Sequence, residues 1–457
     1  MDLISQLFEF IFTPFGFIFI GFGLFFVIQV NQNRPLLCWF LVAIFGFSAS
    51  LGKFVNEFIT EPPPLVFPLQ EIRELGRPLT IVLLALLILI SLKSQNFWRK
   101  HLIPQPMVYL ALVQGVIFFK ILLYGNVGFA FLSIATFGGF ALMMILGPSR
   151  WLQDDHNFLL GVGAIAMTGV IFTLANGYQA SINIYPIQFV HGWFLGTTGN
   201  PQHAAVLISA TIPAFLFLFF QNEKYLWMKW IWVGFLALAI FGLFLTASRT
   251  GMIMAVVSIL IFFRYRGGKL LQIVLIAGVI MAFLMPDIST TNTDTSVLLS
   301  STFNKWDNME NTRESVFSGY WQQFLAEPFF GIPFQGDRLL FGESSWLAVL
   351  GSMGLMGSIP MAMFGWSSLE MIFKLEHLSK IRPDYYLKCS VAMAGLLSLL
   401  VGSISEAYLL GNLTFAMLAV FLYLALGNYL IESAQRDKYF ALQSPNAIDS
   451  NPFKVKA

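Results

Sequence analysis

The sequence predicts an all-α polytopic membrane protein, and its composition and hydropathy together predict this fold class. Of the 457 residues, 57% are hydrophobic and only 11% are charged, whereas a soluble domain carries about 25% charged residues. The mean hydropathy is +0.73. The apolar residues form continuous runs rather than an alternating pattern, which excludes a transmembrane β-barrel. The same figures exclude a disordered, coiled-coil, collagen-like or nucleic-acid-binding chain.

Apolar runs of about 20 residues are needed to cross the hydrocarbon core of a bilayer as helices. Thirteen stretches approach or exceed this length: 10–30, 36–55, 79–93, 107–124, 127–147, 158–175, 203–220, 230–247, 250–264, 270–285, 345–373, 389–406 and 411–431. We therefore expect a single transmembrane domain over 1–431, with about 12–14 transmembrane helices. A cytoplasmic tail, 432–457, follows, and its polar composition predicts disorder.

The basic residues predict the orientation of this bundle, because Lys and Arg are enriched in cytoplasmic loops. Most of the 26 Lys and Arg residues fall on one side of the predicted spans: Arg34, Lys93, Arg99, Lys100, Arg150, Lys224, Lys229, Arg264, Arg266, Lys269, Lys374, Lys380, Arg382, Lys388, Arg436, Lys438, Lys454 and Lys456. That side is expected to be cytoplasmic and to include the C-terminus. The N-terminus is then expected outside.

The opposite side receives one long external loop, 286–344. After a polar strip, the loop contains apolar residues at helical spacing: Val316, Phe317, Tyr320, Trp321, Phe324 and Leu325. Asn311 and Glu314 have the spacing of a capping box, and Pro328 is expected to end the helix. We expect an amphipathic helix over 312–326, lying against the membrane or covering the mouth of the bundle. These two interpretations are compatible.

Three arginines on the external side are candidates for binding an anion. Arg249 lies in a sharp turn between two spans. Arg313 lies in the first turn of the expected loop helix, where the helix dipole disfavours a cation, and it shares the apolar face. A guanidinium binds phosphate through parallel hydrogen bonds and stays ionised. Arg338 is the third candidate. The alternative is that these are interfacial arginines whose charges snorkel to water.

Other polar residues on the same side have two interpretations each. Glu343 precedes a span, so it is either a general base or a favourable charge at a helix N-terminus. His203 follows a turn that contains Asn200, and it is either a hydrogen-bonded structural residue or part of a substrate site. His191 and His203 have no convergent carboxylates, so we expect no metal and no cofactor. The predicted midplanes are almost free of charge, which favours chemistry at the outer interface over transport.

Four segments of the central region resemble the O-antigen ligase and polymerase superfamily of membrane glycosyltransferases. They are 196–205 (GTTGNPQHAA), 246–251 (TASRTG), Arg313 followed by 327–332 (EPFFGI), and 343–347 (ESSWL) followed by 354–357 (GLMG). The segments are in the family's order and on the same predicted side. Each segment is weak alone, and together with the long loop they are fairly specific. They cover the region from about residue 190 to about residue 360.

The resemblance implies a GT-C-type bundle in a bacterial plasma membrane, with its active face periplasmic. It also implies metal-independent transfer, with inversion, of a glycan from an undecaprenyl-diphosphate carrier to a glycan, lipid or protein acceptor. Arg249 and Arg313 would then contact the diphosphate, with Arg338, His203 and Asn200 as further substrate-binding candidates. A chain-length regulator or other polysaccharide-assembly protein is an expected partner, besides membrane lipids.

Two departures from the family pattern favour a polymerase of repeat units over a ligase. Glu343 stands where ligases commonly have histidine, and it would activate the acceptor. Trp193 stands where the family has an arginine. Ligase-type transfer is the alternative, and a lipid-linked glycan transporter or flippase is the alternative from another functional class. A scaffold in an envelope assembly complex is a further possibility.

Overall fold

The computed structural model describes residues 35–51, 63–92, 103–124, 127–187, 192–221, 226–265, 267–268, 314–333, 343–410 and 413–443, with a few isolated positions before residue 26. The spans expected at 10–30 and 270–285, most of the 286–344 loop and the end of the tail lie outside the described part of the chain. Within the described ranges the regular structure is helical, without a β-strand.

The described part of the chain contains fourteen α-helices. In chain order they are α1 (Pro35–Ser50), α2 (Leu69–Glu74), α3 (Gly76–Leu92), α4 (Gln105–Leu123), α5 (Val127–Leu146), α6 (Pro148–Trp151), α7 (Asp155–Ile182), α8 (Pro201–Gln221), α9 (Leu226–Leu245), α10 (Arg249–Phe263), α11 (Glu314–Ala326), α12 (Ser345–Ile381), α13 (Tyr386–Ser405) and α14 (Phe415–Gln443). Two 3₁₀ turns, Tyr185–Ile187 and Pro383–Tyr385, precede α8 and α13.

Within the described residues, seven helices are long and apolar enough to cross a membrane, which supports a polytopic membrane protein. They are α4, α7, α8, α9, α12, the segment Pro383–Ser405 that contains α13, and the Phe415–Arg436 part of α14. Shorter apolar helices cover Pro35–Ser50, Pro78–Leu92 and Arg249–Phe263. Apart from 10–30 and 270–285, each predicted span corresponds to a helix.

Three helices run well beyond the predicted ends of their spans. α7 was expected to end at 175 and continues to Ile182. α12 was expected to end at 373 and continues to Ile381. α14 was expected to end at 431 and continues to Gln443, so the described beginning of the predicted tail is helical. Charged residues at i and i+4, such as Glu370 and Lys374 in α12, support a helix outside the apolar span without adding hydrophobicity.

The centre of the bundle is formed by α8, α13 and the first part of α14, 415–430, and most of their side chains are buried. Tyr423 of α14 lies against the backbone of Gly395 in α13, where a Cβ would collide with the ring. The Tyr423 hydroxyl donates to the carbonyl of Ala210 in α8 at 2.8 Å. Small residues let helices approach closely in membrane proteins. The glycine and the tyrosine therefore fix the three central helices together.

Charged side chains of several helices meet at one end of the bundle, here named the Arg264 end. The Arg264 guanidinium donates to the Glu376 carboxylate at 2.6 Å, and it also donates to the Ser390 and Ser379 hydroxyls. Lys388 pairs with Asp155 at 2.7 Å and so connects α13 to the start of α7. Glu370 and Lys374, four residues apart in α12, also form an ion pair, at 2.7 Å. These charges lie on the side that the sequence predicts to be cytoplasmic.

Candidate functional site

The opposite end, here named the Arg249 end, is where α8, α10 and α12 begin and where α9 and α13 finish. The backbone of Gly251 in α10 lies so close to α8 that a Cβ there would be 2.6 Å from the Cβ of Ala205. The Ser209 hydroxyl donates to the Gly251 carbonyl at 2.8 Å. Two of the segments singled out in the sequence, 196–205 and 246–251, are therefore in contact.

Arg249 is the first residue of α10, and its side chain is half-buried. Ser248 caps the helix, because its hydroxyl accepts a hydrogen bond from the Gly251 amide at 3.2 Å. Ala247 has φ 49°, a left-handed conformation that alanine rarely adopts. The cap and the turn fix the backbone at Arg249. The helix N-terminus adds its own positive potential, and this combination suits an anion.

Asn200 and His203 lie at the start of the neighbouring helix α8. The Asn200 side-chain oxygen accepts a hydrogen bond from the Gln202 amide at 2.8 Å, so Asn200 shapes the turn before the helix. His203 is exposed, although positions 204–218 of the same helix are all buried. His203 therefore lies in the first turn of α8, at the Arg249 end of the bundle.

Glu343 directly precedes the N-cap of α12 and is half-buried. The capping bond comes from Ser344, whose hydroxyl accepts from the Leu347 amide at 3.2 Å. Ser344 has φ 72°, a strained conformation for a residue with a side chain. Ser345 donates its hydroxyl to the Glu406 carbonyl at 2.7 Å. Serines therefore make these bonds, and the carboxylate of Glu343 lies beside the helix N-terminus, where the dipole favours a negative charge.

The start of α12 and the start of α10 are connected through the last turns of α13. The Trp346 indole N–H donates to the Ser403 hydroxyl at 2.9 Å. The preceding residue, Gly402, lies against the side chain of Met254 in α10. Glu343, Arg249 and His203 therefore belong to the same end of the bundle, although the sequence separates them widely.

Tyr408 lies in the connection after α13, close to the start of α12. Its hydroxyl donates to the Leu399 carbonyl. Burial, together with the nearby charge of Glu406, raises the pKa of Tyr408 well above its ordinary value. The hydroxyl therefore keeps its proton near neutral pH and acts as a structural donor rather than as a base.

α12 is interrupted at Gly354, where φ is 57° and ψ is −149°. This conformation is essentially restricted to glycine. In a regular helix the amide of Leu355 would donate to Gly351, but here it donates to the carbonyl of Pro328 at 2.8 Å. The helix is thus divided into a short first half, 345–353, and a long second half that begins after Gly354.

The turn 327–332 fills this interruption with its own backbone. The amide of Met356 donates to the Phe329 carbonyl at 3.2 Å, and the amide of Ile332 donates to the Gly351 carbonyl at 3.3 Å. Gly331 lies against the backbone of Ser352 so closely that no Cβ could fit. The third and fourth segments singled out in the sequence are therefore in contact as well.

α11 covers the first half of α12 with one face and leaves the other face open. Tyr320 is buried, and its carbonyl lies 3.0 Å from where a Cβ on Gly351 would be. Trp321 and Leu325 are exposed, as is Phe329 just beyond the helix. The helix expected over 312–326 is confirmed over its described part, and it lies against the bundle with an exposed apolar face.

Two of the predicted anion-binding residues, Arg313 and Arg338, lie outside the described residues. So do Asn311, the first member of the expected capping box, and His191. The position of Arg313 in the sequence is directly before Glu314, where α11 begins. The structure brings together Arg249, Asn200, His203 and Glu343 at one end of the bundle.

Sequence reasoning assigned no role to Lys120, although this residue contacts the turn that fills the α12 interruption. Its ammonium donates to the carbonyl of Phe330 and to that of Ser352. The only sequence signal was a lysine inside an apolar helix. Among the described residues, no group of three or more His, Cys, Asp or Glu is arranged to hold a metal ion.

No known protein-family model matches the chain, and no curated protein matches it significantly.

Proposed function

We propose that this chain is a membrane glycosyltransferase with a GT-C-type bundle, and that it polymerises oligosaccharide units carried on undecaprenyl diphosphate. The reaction is placed at the Arg249 end, which the basic residues of the other end predict to be external. Ligase-type transfer to a lipid or protein acceptor is the alternative outcome of the same chemistry. Both need the same groups: one to hold the diphosphate and one to activate a hydroxyl.

The chemistry assigned to the site is a displacement at the anomeric carbon. The acceptor hydroxyl oxygen forms the new glycosidic bond while the bond to the diphosphate oxygen breaks, which inverts the configuration. Glu343 accepts the hydroxyl proton as general base. Negative charge develops on the departing diphosphate, and Arg249 with the N–H groups at the start of α10 stabilises it.

The observation that carries this proposal is the convergence of the four resembling segments in two contacting pairs. Segment 196–205 packs on 246–251, and 327–332 packs into the α12 interruption beside 354–357. The end of α13 connects the two pairs. Segments that share only a sequence pattern have no reason to meet in space, whereas the parts of one active site must.

A transporter is less well supported, although an interrupted helix is typical of transporters. The amides freed at the α12 interruption donate to the turn 327–332, so protein fills the gap instead of a cavity. No residue of α12 before Gly354 is exposed, and exposed apolar residues begin directly after it. The stretch 355–373 is about 28 Å long at 1.5 Å per residue, which matches the hydrocarbon core. The interruption therefore fits the membrane boundary better than the midplane.

The test uses the purified protein in lipid nanodiscs, supplied with the lipid-linked oligosaccharides extracted from cells that lack this protein. We expect lipid-linked chains of increasing length, with release of undecaprenyl diphosphate. R249A should lower kcat about 100-fold or more, because it removes charge stabilisation of the leaving group. E343Q keeps the shape and removes the base, and it should lower kcat by about 100-fold.

R382A is the matched control, because Arg382 forms an exposed ion pair with Asp384 at the Arg264 end. It should leave kcat unchanged. Transfer of the glycan to a different acceptor would assign the ligase branch. Full turnover by both R249A and E343Q would refute the proposed site, and movement of intact substrate across the bilayer without bond formation would establish transport.

A further inference from the structure

Lys120 is a buried cation near the C-terminal end of α4, with only 5% of its surface exposed. Its ammonium donates to the carbonyl of Phe330, in the turn after α11, and to the carbonyl of Ser352, in the first half of α12. A charged residue in an apolar helix is costly unless specific partners hold it. Here the partners belong to two different segments, and neither segment is α4's neighbour in sequence.

The interruption of α12 explains why a cation is needed at this point. In an unbroken helix the Ser352 carbonyl would accept from the amide of Met356, but that amide donates to Phe329 instead. The first half of α12 therefore ends with carbonyl groups that need other donors. A cation at a helix C-terminus also interacts favourably with the helix dipole. Lys120 meets both requirements.

The two segments joined by Lys120 lead directly to the two candidate groups. The first half of α12 begins two residues after Glu343, and the Ser352 carbonyl at its other end contacts Lys120. α11 begins one residue after Arg313 in the sequence. It leads into the turn 327–332, in which the Phe330 carbonyl contacts Lys120. Both segments are short and contact each other, so a single ammonium fixes their far ends to the same point of α4.

We propose that Lys120 is a positioning residue for the glycosyl transfer, an inference that rests on the proposed function. It fixes the turn 327–332 in the α12 interruption and thereby sets the position of Glu343 relative to the start of α11. Lys120 does not contact the substrate in this mechanism. Its effect on turnover passes through Glu343, and its effect on structure is measurable without any substrate.

The structural test is a disulfide between positions 329 and 356, whose backbones are joined by the 3.2 Å hydrogen bond. The parent for this test carries C38A and C389A, which replace the two buried cysteines, together with F329C and M356C. Oxidation of the parent should form the disulfide readily. K120M should slow its formation about tenfold, because the turn loses hydrogen bonds to a charged donor.

The functional test measures kcat and KM with the extracted lipid-linked oligosaccharides. K120M should lower kcat by about 100-fold with little change in KM, because the donor site remains while the base is displaced. K120R should restore most of the activity. In an E343Q background K120M should lower kcat only slightly further, since the two substitutions act on the same step. K374M is the matched control and should behave like the parent in both tests.

Normal disulfide formation and normal kcat in K120M would overturn the proposal. If K120M slows the disulfide while R249A and E343Q turn over normally, Lys120 fixes the turn but the proposed function is wrong. If R249A and E343Q are inactive while K120M is normal, the function stands and the positioning role falls. Should K120M fail to fold, K120Q is measured in the same two tests. Its neutral amide donates more weakly than an ammonium, so both rates should fall by a smaller factor, and rates equal to the parent's would overturn the proposal.

Discussion

The two ends of the bundle use their polar side chains in different ways. At the Arg264 end, cations meet carboxylates on neighbouring helices: Arg264 with Glu376 at 2.6 Å, and Lys388 with Asp155 at 2.7 Å. At the Arg249 end, the Lys120 ammonium binds two backbone carbonyls, and serine hydroxyls bind backbone groups at the starts of helices. Ser248 caps α10 in this way.

This difference suggests different roles for the two ends, one in holding the helices together and the other in binding a ligand. A helix start that is held by serine hydroxyls keeps its positive potential, because a neutral cap does not cancel it. The Arg264 end is therefore suited to holding helices together, whereas the Arg249 end is suited to receiving an anion.

The largest expected effect comes from removing Arg264. In R264M, the partly buried Glu376 loses its closest cation, and two serine hydroxyls lose a donor. We expect the free energy of unfolding in detergent to fall by about 3 kcal/mol, while kcat per folded molecule stays unchanged. The comparable change at the other end, R249M, should show the reverse pattern, with turnover lost and stability kept.

R382M serves as the control for this pair, because Arg382 and Asp384 are exposed and should contribute less than about 1 kcal/mol. The proposed difference between the ends would be wrong if R264M lowered kcat without changing the free energy of unfolding. It would also break down if R249M unfolded the protein as strongly as R264M does.

The next largest effect is expected at the α12 interruption. In G354A, the new Cβ would lie 2.5 Å from the Pro328 carbonyl oxygen, and alanine would have to adopt φ 57°. We expect the free energy of unfolding to fall by about 2 kcal/mol and the turn 327–332 to be displaced. Slower formation of the disulfide between positions 329 and 356 would report that displacement.

A matched control is G163A in α7, where nothing lies within 4 Å of the added Cβ. Alanine is favoured over glycine inside a helix, so this variant should be slightly more stable than the parent, by about 0.5 kcal/mol. Equal stabilities of G354A and G163A would mean that the interruption is not held by the contact with Pro328.

The sequence was sufficient for the features that depend on local pattern. Continuous apolar runs located the helices, because length and hydrophobicity alone decide whether a segment can cross a bilayer. Apolar spacing located α11, and the i,i+4 spacing of Glu370 and Lys374 is the spacing at which their 2.7 Å ion pair forms. These features need no knowledge of what lies across the bundle.

The interruption of α12 could not be predicted, because it depends on contacts between distant parts of the chain. Gly354 sits in a continuous apolar run, and only the turn 327–332 supplies the replacement hydrogen bonds. Lys120 is separated from its two acceptors by 210 and 232 residues. For the same reason, sequence spacing could place Glu343 at the start of a helix but could not show that Ser344 makes the capping bond.

The smallest expected effect is that of K374M, and it sharpens the comparison by locating the Arg264 end relative to the membrane. Lys374 and Glu370 are both about half exposed, so in water their 2.7 Å pair should contribute only about 0.3–0.5 kcal/mol. Thermal unfolding in detergent at low and high salt measures this contribution, which should vanish at high salt.

A loss above about 1 kcal/mol that salt does not reduce would place the pair in lipid, since a desolvated ion pair is screened far less. The membrane boundary would then lie beyond Lys374, and the interruption at Gly354 would move from the boundary towards the midplane. That result would restore the argument for transport, whereas a small, salt-sensitive loss keeps Gly354 at the boundary and favours catalysis at the Arg249 end.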